Sequence, residues 1–134
     1  MTRRRSRSLT LAAATLAALL LAAVASADDG SRADVRVERS CTAQSSVRLR
    51  VRAEDDDPLR VDIDVRTPRG GAKWVVSVVH ERRLARSVTR RTRSSGSFSV
   101  RFTMADWPGP DTVVARAVGP RGEVCRAAVT VDVS

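Results

Sequence analysis

Apolar and polar residues alternate along most of the chain beyond residue 33. Val47, Leu49 and Val51 are separated by arginines, and a second run around Ile63 is separated by aspartates. A period of two puts one set of side chains on a buried face and the other in solvent, which is typical of β-strands. The two runs are predicted to form a hairpin with arginines beside aspartates on its solvated face. Turn residues recur about every ten positions, which predicts about eight short antiparallel strands and no helix.

Three segments are predicted to take distinct places in the sheets. Residues 73–80 carry apolar side chains on both parities, including Trp74, and are expected to form a strand that is central or covered on both faces. Residues 84–93 are polar and rich in arginine, which is typical of an edge strand because charge discourages pairing with another chain. Residues 96–134 are expected to form three successive antiparallel strands.

The first 27 residues have the pattern of a secretory signal peptide. Four arginines precede an apolar run over residues 9–24, and Ala25-Ser26-Ala27 supplies the small residues before the cleavage point. We expect a signal-peptide helix over 1–27, with a retained membrane anchor as the alternative, a flexible leader over 28–33 and one domain over 34–134. The mature protein is then secreted, free or associated with the cell envelope, and touches the membrane only through the signal segment. Cleavage lowers the net charge from +9 to +5.

The sequence has two cysteines, Cys41 and Cys125. In an exported chain they are expected to pair with each other, with two free thiols or an intermolecular bridge as the alternatives. A bridge between them would tie the first strand to the last. Because the closed loop is long, the bridge would stabilise the fold by roughly 4–5 kcal/mol.

The C-terminal quarter resembles the final hairpin of immunoglobulin-like domains. The matching positions are Asp111, Val113, Ala115 and Ala117, followed by Pro120-Arg121-Gly122-Glu123. The chain departs from that family at Ala115 and Ala117, where the corner tyrosine and the strand cysteine would lie. The chain as a whole resembles small secreted actinobacterial proteins without assigned activity, through Cys41, Trp74, His80, Gly96-Ser97-Phe98 and Gly122-Glu123-Val124-Cys125. The resemblance implies an all-β fold, a single antiparallel β-sandwich of about seven to eight strands, immunoglobulin-like or fibronectin type III-like, with one disulfide.

Residues suited to catalysis or metal binding are few. His80 is the single histidine, no Gly-x-Ser-x-Gly elbow is present, and His80 is expected on the surface at a hairpin end. One histidine and two paired cysteines do not make a zinc site. The acidic run 54–57 lacks the spaced aspartates of a calcium loop and is interpreted as a turn, with weak calcium binding as the alternative. The sequence predicts no catalytic residue, no cofactor and no metal, and a protein that is not an enzyme.

Two features are candidate partner-binding sites. Trp107 lies in a turn rich in proline and glycine, and we expect it to fold back as a plug rather than to stand out as an anchor for a protein partner. The densest basic segment would attract an anionic polymer, although a solvated edge strand explains it as well. No aromatic residue lies within it for base stacking, so specific nucleic-acid binding is not expected. Its members are Arg82, Arg83, Arg86, Arg90, Arg91 and Arg93.

These observations favour a secreted, non-enzymatic binding domain or cell-envelope accessory domain. The sequence leaves its partner open between a protein and an anionic cell-wall polymer. A small secreted inhibitor or ligand carrier is one alternative, and a basic-face binder of anionic polymers is another. Secreted inhibitors and carriers of this size usually have two disulfides and a reactive loop or ligand cleft, whereas this sequence provides one pair of cysteines.

Overall fold

The computed structural model describes residues 33–53 and 58–132 of the chain. The predicted signal peptide, the leader up to residue 32 and the acidic run 54–57 lie outside these residues, and Ala33 already belongs to the first strand. No helix in the described part is long and apolar enough to cross a membrane. The elements are β1 (Ala33–Ser40), β2 (Ser46–Ala53), β3 (Leu59–Arg66), β4 (Lys73–His80), β5 (Arg83–Arg91), β6 (Ser97–Met104), β7 (Asp111–Val118), a short 3-10 turn (Pro120–Gly122) and β8 (Val124–Val131).

The strands form two antiparallel four-stranded sheets. Sheet A has the order β1-β2-β3-β6 and sheet B the order β5-β4-β7-β8. The predicted all-β sandwich is confirmed, as are the β2–β3 hairpin, the central place of β4 and the edge position of β5. The C-terminal three-strand unit was predicted wrongly in one respect, since β6 pairs with β3 while β7 and β8 pair in the other sheet. Alternation shows which face of a strand is buried, but not which strand it pairs with. It therefore could not predict that the chain crosses to the other sheet after β6.

One parity of each strand builds the core between the sheets. Leu49 and Ile63 from sheet A and Trp74 from sheet B are each 0% exposed, and the remaining core is mostly valine and alanine. Trp74 packs against Phe98, with the ring centroids 6.1 Å apart. The outward face of β4 is not covered, because Val75 is 41% exposed. Of the two predicted alternatives, the central place of β4 is confirmed, and coverage of both faces does not hold at Val75.

The predicted disulfide between Cys41 and Cys125 is present and closes one side of the sandwich. Cys41 follows β1 in sheet A and Cys125 lies in β8 of sheet B, with their Cα atoms 4.3 Å apart. Beside the bridge, the Thr42 N–H donates to the Val124 carbonyl and the Val124 N–H donates to Thr42 Oγ1, each at 2.9 Å. Because β8 packs along β1 and β2, the bridge lies where the edges of the two sheets meet.

Successive connections alternate between the two ends of the sandwich. The β1–β2, β3–β4, β5–β6 and β7–β8 connections share one end, here called the loop end. The β4–β5 turn and the β6–β7 connection lie at the opposite end, here called the terminal end. The first residue of β1 and the last residue of β8 also lie at the terminal end, opposite Ala53 and Asp111 respectively.

Gly119, directly after β7, leaves room for the largest core side chain. A Cβ atom built on this glycine would lie 2.5–2.6 Å from three ring atoms of Trp74. The φ angle of Gly119 is −107°, a backbone conformation that any residue can adopt. Glycine is therefore needed here for the space it leaves to Trp74 and not for its backbone conformation.

Removing the bridge is expected to destabilise the domain substantially. Cys41→Ser combined with Cys125→Val should lower the free energy of unfolding by about 2–5 kcal/mol, because the unfolded chain regains the freedom of a long loop. Valine keeps the buried position apolar, so the loss reports the bond and not a buried hydroxyl. Urea unfolding of the variant, the oxidised wild type and the reduced wild type measures it. A variant as stable as the oxidised protein would contradict this role.

Gly119→Ala is expected to cost about 1–3 kcal/mol, because the new methyl group overpacks the core against Trp74. The same substitution in a Trp74→Phe background should cost less, since phenylalanine lacks the outer ring atoms that the methyl group meets. Thermal unfolding of the four proteins in this cycle gives both costs. Equal costs in the two backgrounds would show that the indole ring is not the obstacle.

Candidate functional site

The predicted basic segment forms an exposed edge at one side of sheet B. We call the set Arg82, Arg83, Arg86, Arg90, Arg91 and Arg93 the basic strand, since four of them lie in β5 and two flank it. The β4 partners of Val88 and Arg90 are Val76 and Trp74, which are fully buried, whereas Arg90 itself is exposed. The side of β5 that continues the core face of sheet B is therefore open. Both faces of β5 are in solvent, so the alternation of its side chains buries none of the arginines.

Four arginines of sheet A have a different environment, because carboxylates lie within 4 Å of them. Arg52 contacts Asp62 at 2.9 Å, Arg101 contacts the same carboxylate at 3.5 Å, and Arg50 pairs with Asp34. The hydrogen bond from Arg50 lowers the pKa of Asp34 below its ordinary value and raises that of Arg50. The predicted arginine–aspartate pairing across β2 and β3 is confirmed for Arg52, while Arg50 pairs with β1 instead.

No carboxylate within the described ranges lies within 4 Å of an arginine of the basic strand. Their contacts are with rings and carbonyls instead. The Arg86 guanidinium lies 5.8 Å from the Phe102 ring centroid, and Arg91 donates to the Gly71 carbonyl at 3.1 Å. Such contacts orient the side chains and leave the positive charges unneutralised.

Trp107 connects the basic strand to a buried polar group at the terminal end. The Arg83 guanidinium lies 5.7 Å from the Trp107 ring centroid, and the ring stacks on His80 at 4.3 Å between centroids. The tryptophan is 37% exposed. It is therefore neither a fully buried plug nor a free-standing anchor, but covers His80 and supports one arginine. Of the candidate partner-binding residues, the structure brings Trp107 and Arg83 together.

His80 is buried, contrary to the prediction that it lies on the surface. It is 3% exposed and its Nε2–H donates to Asp111, which is 1% exposed. His80 has the same parity as Trp74 in β4, and Asp111 the same parity as Val113 in β7, so both side chains point into the core. Strict application of the alternation would have placed both residues inside. The hydrogen bond between the buried imidazole and Asp111 Oδ1 offsets part of the cost of burying the two groups, while Asp111 Oδ2 is buried without a hydrogen-bond partner in the described residues.

A second acidic residue, Asp106, completes this cluster. A hydrogen bond to Asp111, partial burial and the Asp111 charge raise the pKa of Asp106 above its ordinary value. Ionised carboxylates only accept hydrogen bonds, so the buried Asp111 Oδ2 gains a donor there only when Asp106 carries a proton. The arrangement is a histidine, a buried carboxylate and a second carboxyl group under a tryptophan.

The β4–β5 turn that carries this cluster is conformationally unusual. Glu81 and Arg82 have φ angles of 47° and 65°, in the left-handed region that tight hairpin turns require and glycine or asparagine usually fill. Glu81 is fastened to the start of β7, where its N–H donates to the Thr112 carbonyl at 3.0 Å and its carboxylate accepts from the Thr112 N–H. These hydrogen bonds hold the turn, and Arg83 next to it, against the start of β7, where Asp111 lies.

His80 makes one of the two hydrogen bonds that the histidine of a hydrolase triad makes. Such a histidine is bonded both to an acid and to a nucleophilic hydroxyl. His80 is bonded to Asp111, and no hydroxyl group of residues 33–53 or 58–132 forms a hydrogen bond with it. In the same part of the chain, no group of three or more histidine, cysteine or carboxylate side chains is arranged to hold a metal ion. The arrangement in these residues therefore supports electrostatic positioning of Trp107 and Arg83, not an acyl-transfer step.

Asp106→Asn is expected to stabilise the protein at pH 7 and to have less effect at pH 4. The native state favours protonated Asp106, so its favourable contribution is complete below its unfolded-state pKa and is lost as the pH rises through the raised native pKa. The amide donates to Asp111 at every pH. Melting temperatures of wild type and variant at both pH values test this, with Asp132→Asn, at an exposed site after β8, as the control. A stability difference that does not grow with pH would show that the native state does not favour protonated Asp106.

The chain has no significant match among known protein families, characterised proteins or solved structures. Its architecture is therefore defined by the described strands alone. They form two four-stranded antiparallel sheets with one disulfide between their edges. Within that architecture, the basic strand and the Trp107 contact next to it form the candidate functional site.

Proposed function

We propose that the protein is an exported, non-enzymatic binding domain that holds a linear phosphodiester polymer of the cell envelope along the basic strand. The observation that carries the proposal is the concentration of arginines on one exposed edge without a carboxylate within 4 Å in the described part, while four arginines of sheet A contact carboxylates. Acidic residues are absent from the whole stretch between Arg82 and Ala105.

The side-chain chemistry favours phosphate. All the basic residues of this segment are arginines, and a guanidinium group presents paired N–H donors that match two oxygens of one phosphate. β5 has nine residues, which at about 3.3 Å per residue gives an edge of roughly 30 Å. An edge of that length spans several units of a linear polyanion. Trp107 is occupied by His80 and Arg83, so no free aromatic ring is offered to a nucleobase.

Export rests on two lines of support. The N-terminal 27 residues have the composition of a signal peptide. The bridge between Cys41 and Cys125 is typical of proteins that fold outside the reducing cytosol. An extracellular position places the basic strand where anionic wall polymers are found, either as a diffusing protein or as an envelope-associated one.

We also infer kinship with immunoglobulin-like and fibronectin-like sandwiches. In immunoglobulin domains the strands C, F and G are neighbours in one sheet, and β4, β7 and β8 take that order here. β3, inserted between β2 and β6 of sheet A, departs from that arrangement. The resemblance to small secreted actinobacterial proteins stays a prediction, as do the inhibitor and carrier alternatives.

Two matched triple variants test the proposal. Arg90→Ala, Arg91→Ala and Arg93→Ala together should weaken binding of the oxidised mature domain to poly(glycerol phosphate) at least tenfold, and lower the slope of log affinity against log salt by about one unit per lost phosphate contact. Arg36→Ala, Arg60→Ala and Arg126→Ala remove the same charge from other exposed positions and should change affinity by less than about threefold. Titration calorimetry at three salt concentrations gives both quantities.

Equal losses in the two triple variants would show that only net charge matters and would overturn a site on β5. Absence of binding by the wild type at low salt would reduce the basic strand to a charged edge that prevents pairing with other chains. In that case the basic strand variant should aggregate faster than the control, which light scattering measures.

A further inference from the structure

A polar groove of about 450 Å³ opens at the loop end of the sandwich. It is formed where the β1–β2, β3–β4 and β7–β8 connections meet, and we call it the end groove. Pockets that bind small molecules have volumes of about 300–1,000 Å³, so the end groove is large enough for one. Its polar lining consists of Thr42, Gln44, Thr67, Arg69, Arg121 and Glu123.

The groove has a net positive lining. Glu123 is its single acid among the lining residues, and that carboxylate already accepts a hydrogen bond from the Ser45 N–H at 2.9 Å. Arg69 and Arg121 have no carboxylate within 4 Å in the part of the chain that the structure describes. Thr42 Oγ1 accepts from the Val124 N–H, which leaves its own hydroxyl proton free to donate.

Arg121 occupies a backbone position that disfavours it. Its φ angle is 58° and that of Gly122 is 71°, so two successive residues are left-handed. Glycine and asparagine take this conformation at little cost, whereas other residues in it cost of order 1 kcal/mol. A costly arginine beside an open groove is the kind of outlier that points to a function for the side chain.

We propose that the end groove binds a small ligand through an oxyanion, a carboxylate or a phosphate, which Arg69 and Arg121 hold from opposite turns. The hydroxyl of Thr42 donates to a neighbouring polar group of the ligand. Pro68 and Pro120 wall the groove and restrict the two turns, so less ordering is needed on binding. Carboxylate and phosphate share the chemistry that paired guanidinium groups recognise, and they differ in charge and shape.

The end groove is separate from the Trp107 contact and does not require the basic strand to bind a polymer. It lies at the loop end, whereas Trp107, His80 and the first residue of β1 lie at the terminal end. The first described residue, Ala33, therefore lies at the end of the sandwich away from the groove. The 67–72 turn is braced independently, because Thr92 Oγ1 donates to the Arg69 carbonyl at 3.0 Å.

Amide NMR titrations of the oxidised mature domain test this site. Inorganic phosphate and N-acetyl-alanyl-alanine are the two anionic probes, and the C-terminal amide of the same dipeptide is the uncharged control. We expect saturable shifts at residues 42–45, 67–72 and 121–124, with dissociation constants in the millimolar range for one or both anions and no saturation with the amide. The stronger of the two probes identifies the oxyanion.

Arg121→Asn is the informative variant, because asparagine accepts the left-handed conformation and lacks the charge. We expect it to melt no lower than the wild type and to bind the preferred anion at least tenfold more weakly. Arg121→Lys should retain part of the affinity, and Arg60→Ala, at an exposed position near the terminal end of sheet A, should leave it unchanged. Shifts spread over all arginines without saturation, or full affinity in Arg121→Asn, would overturn the proposal whether or not β5 binds a polymer.

Discussion

A covalent bond between Cys41 and Cys125 holds the end of the first strand of one sheet against the last strand of the other. Its importance follows from the core that surrounds it. Aromatic residues make up only 3% of the chain, and most buried side chains are valine and alanine, which each remove little apolar area from water. A domain of this size has a small net stability, of order 5–15 kcal/mol, so one long-loop bridge is a considerable part of it. With both terminal strands secured, the edge strand β5 and the turns can carry exposed charges.

At the terminal end, a histidine and a carboxylate are buried in a core that is otherwise mostly apolar. His80 and Asp111 share a hydrogen bond inside the sandwich, and Trp107 covers them from the surface. Asp106 adds a carboxyl group whose raised pKa comes from the same buried carboxylate. Trp107 also lies under the Arg83 guanidinium, so the ring contacts both this cluster and the end of the basic strand.

Arginine has two roles in this molecule, separated by sheet. On sheet A, four arginines contact acidic residues, and their charges cancel locally in pairs such as Arg52 with Asp62. On β5 the same residue type stands without acids along a fully solvated edge. Exposed pairs contribute little to stability, whereas unpaired charge on a projecting strand produces a field that reaches solvent. The distribution, not the net charge of the chain, supports a polyanion-binding surface at β5.

Alternation along the sequence was sufficient to predict an all-β sandwich, because the period is a local property. Apolar residues on both parities indicated the central place of β4, and the arginines of β5 indicated an edge. The pairing of Cys41 with Cys125 followed from the presence of two cysteines in a chain expected to be exported. The alternation in β4 also places His80 on the buried face, although the polar character of its side chain favoured a surface position. Only the tertiary structure decided that β6 crosses to the other sheet, that Asp111 meets His80, and that Arg69 and Arg121 line one groove. Those contacts join residues far apart in the chain, and the order in which strands pair determines them.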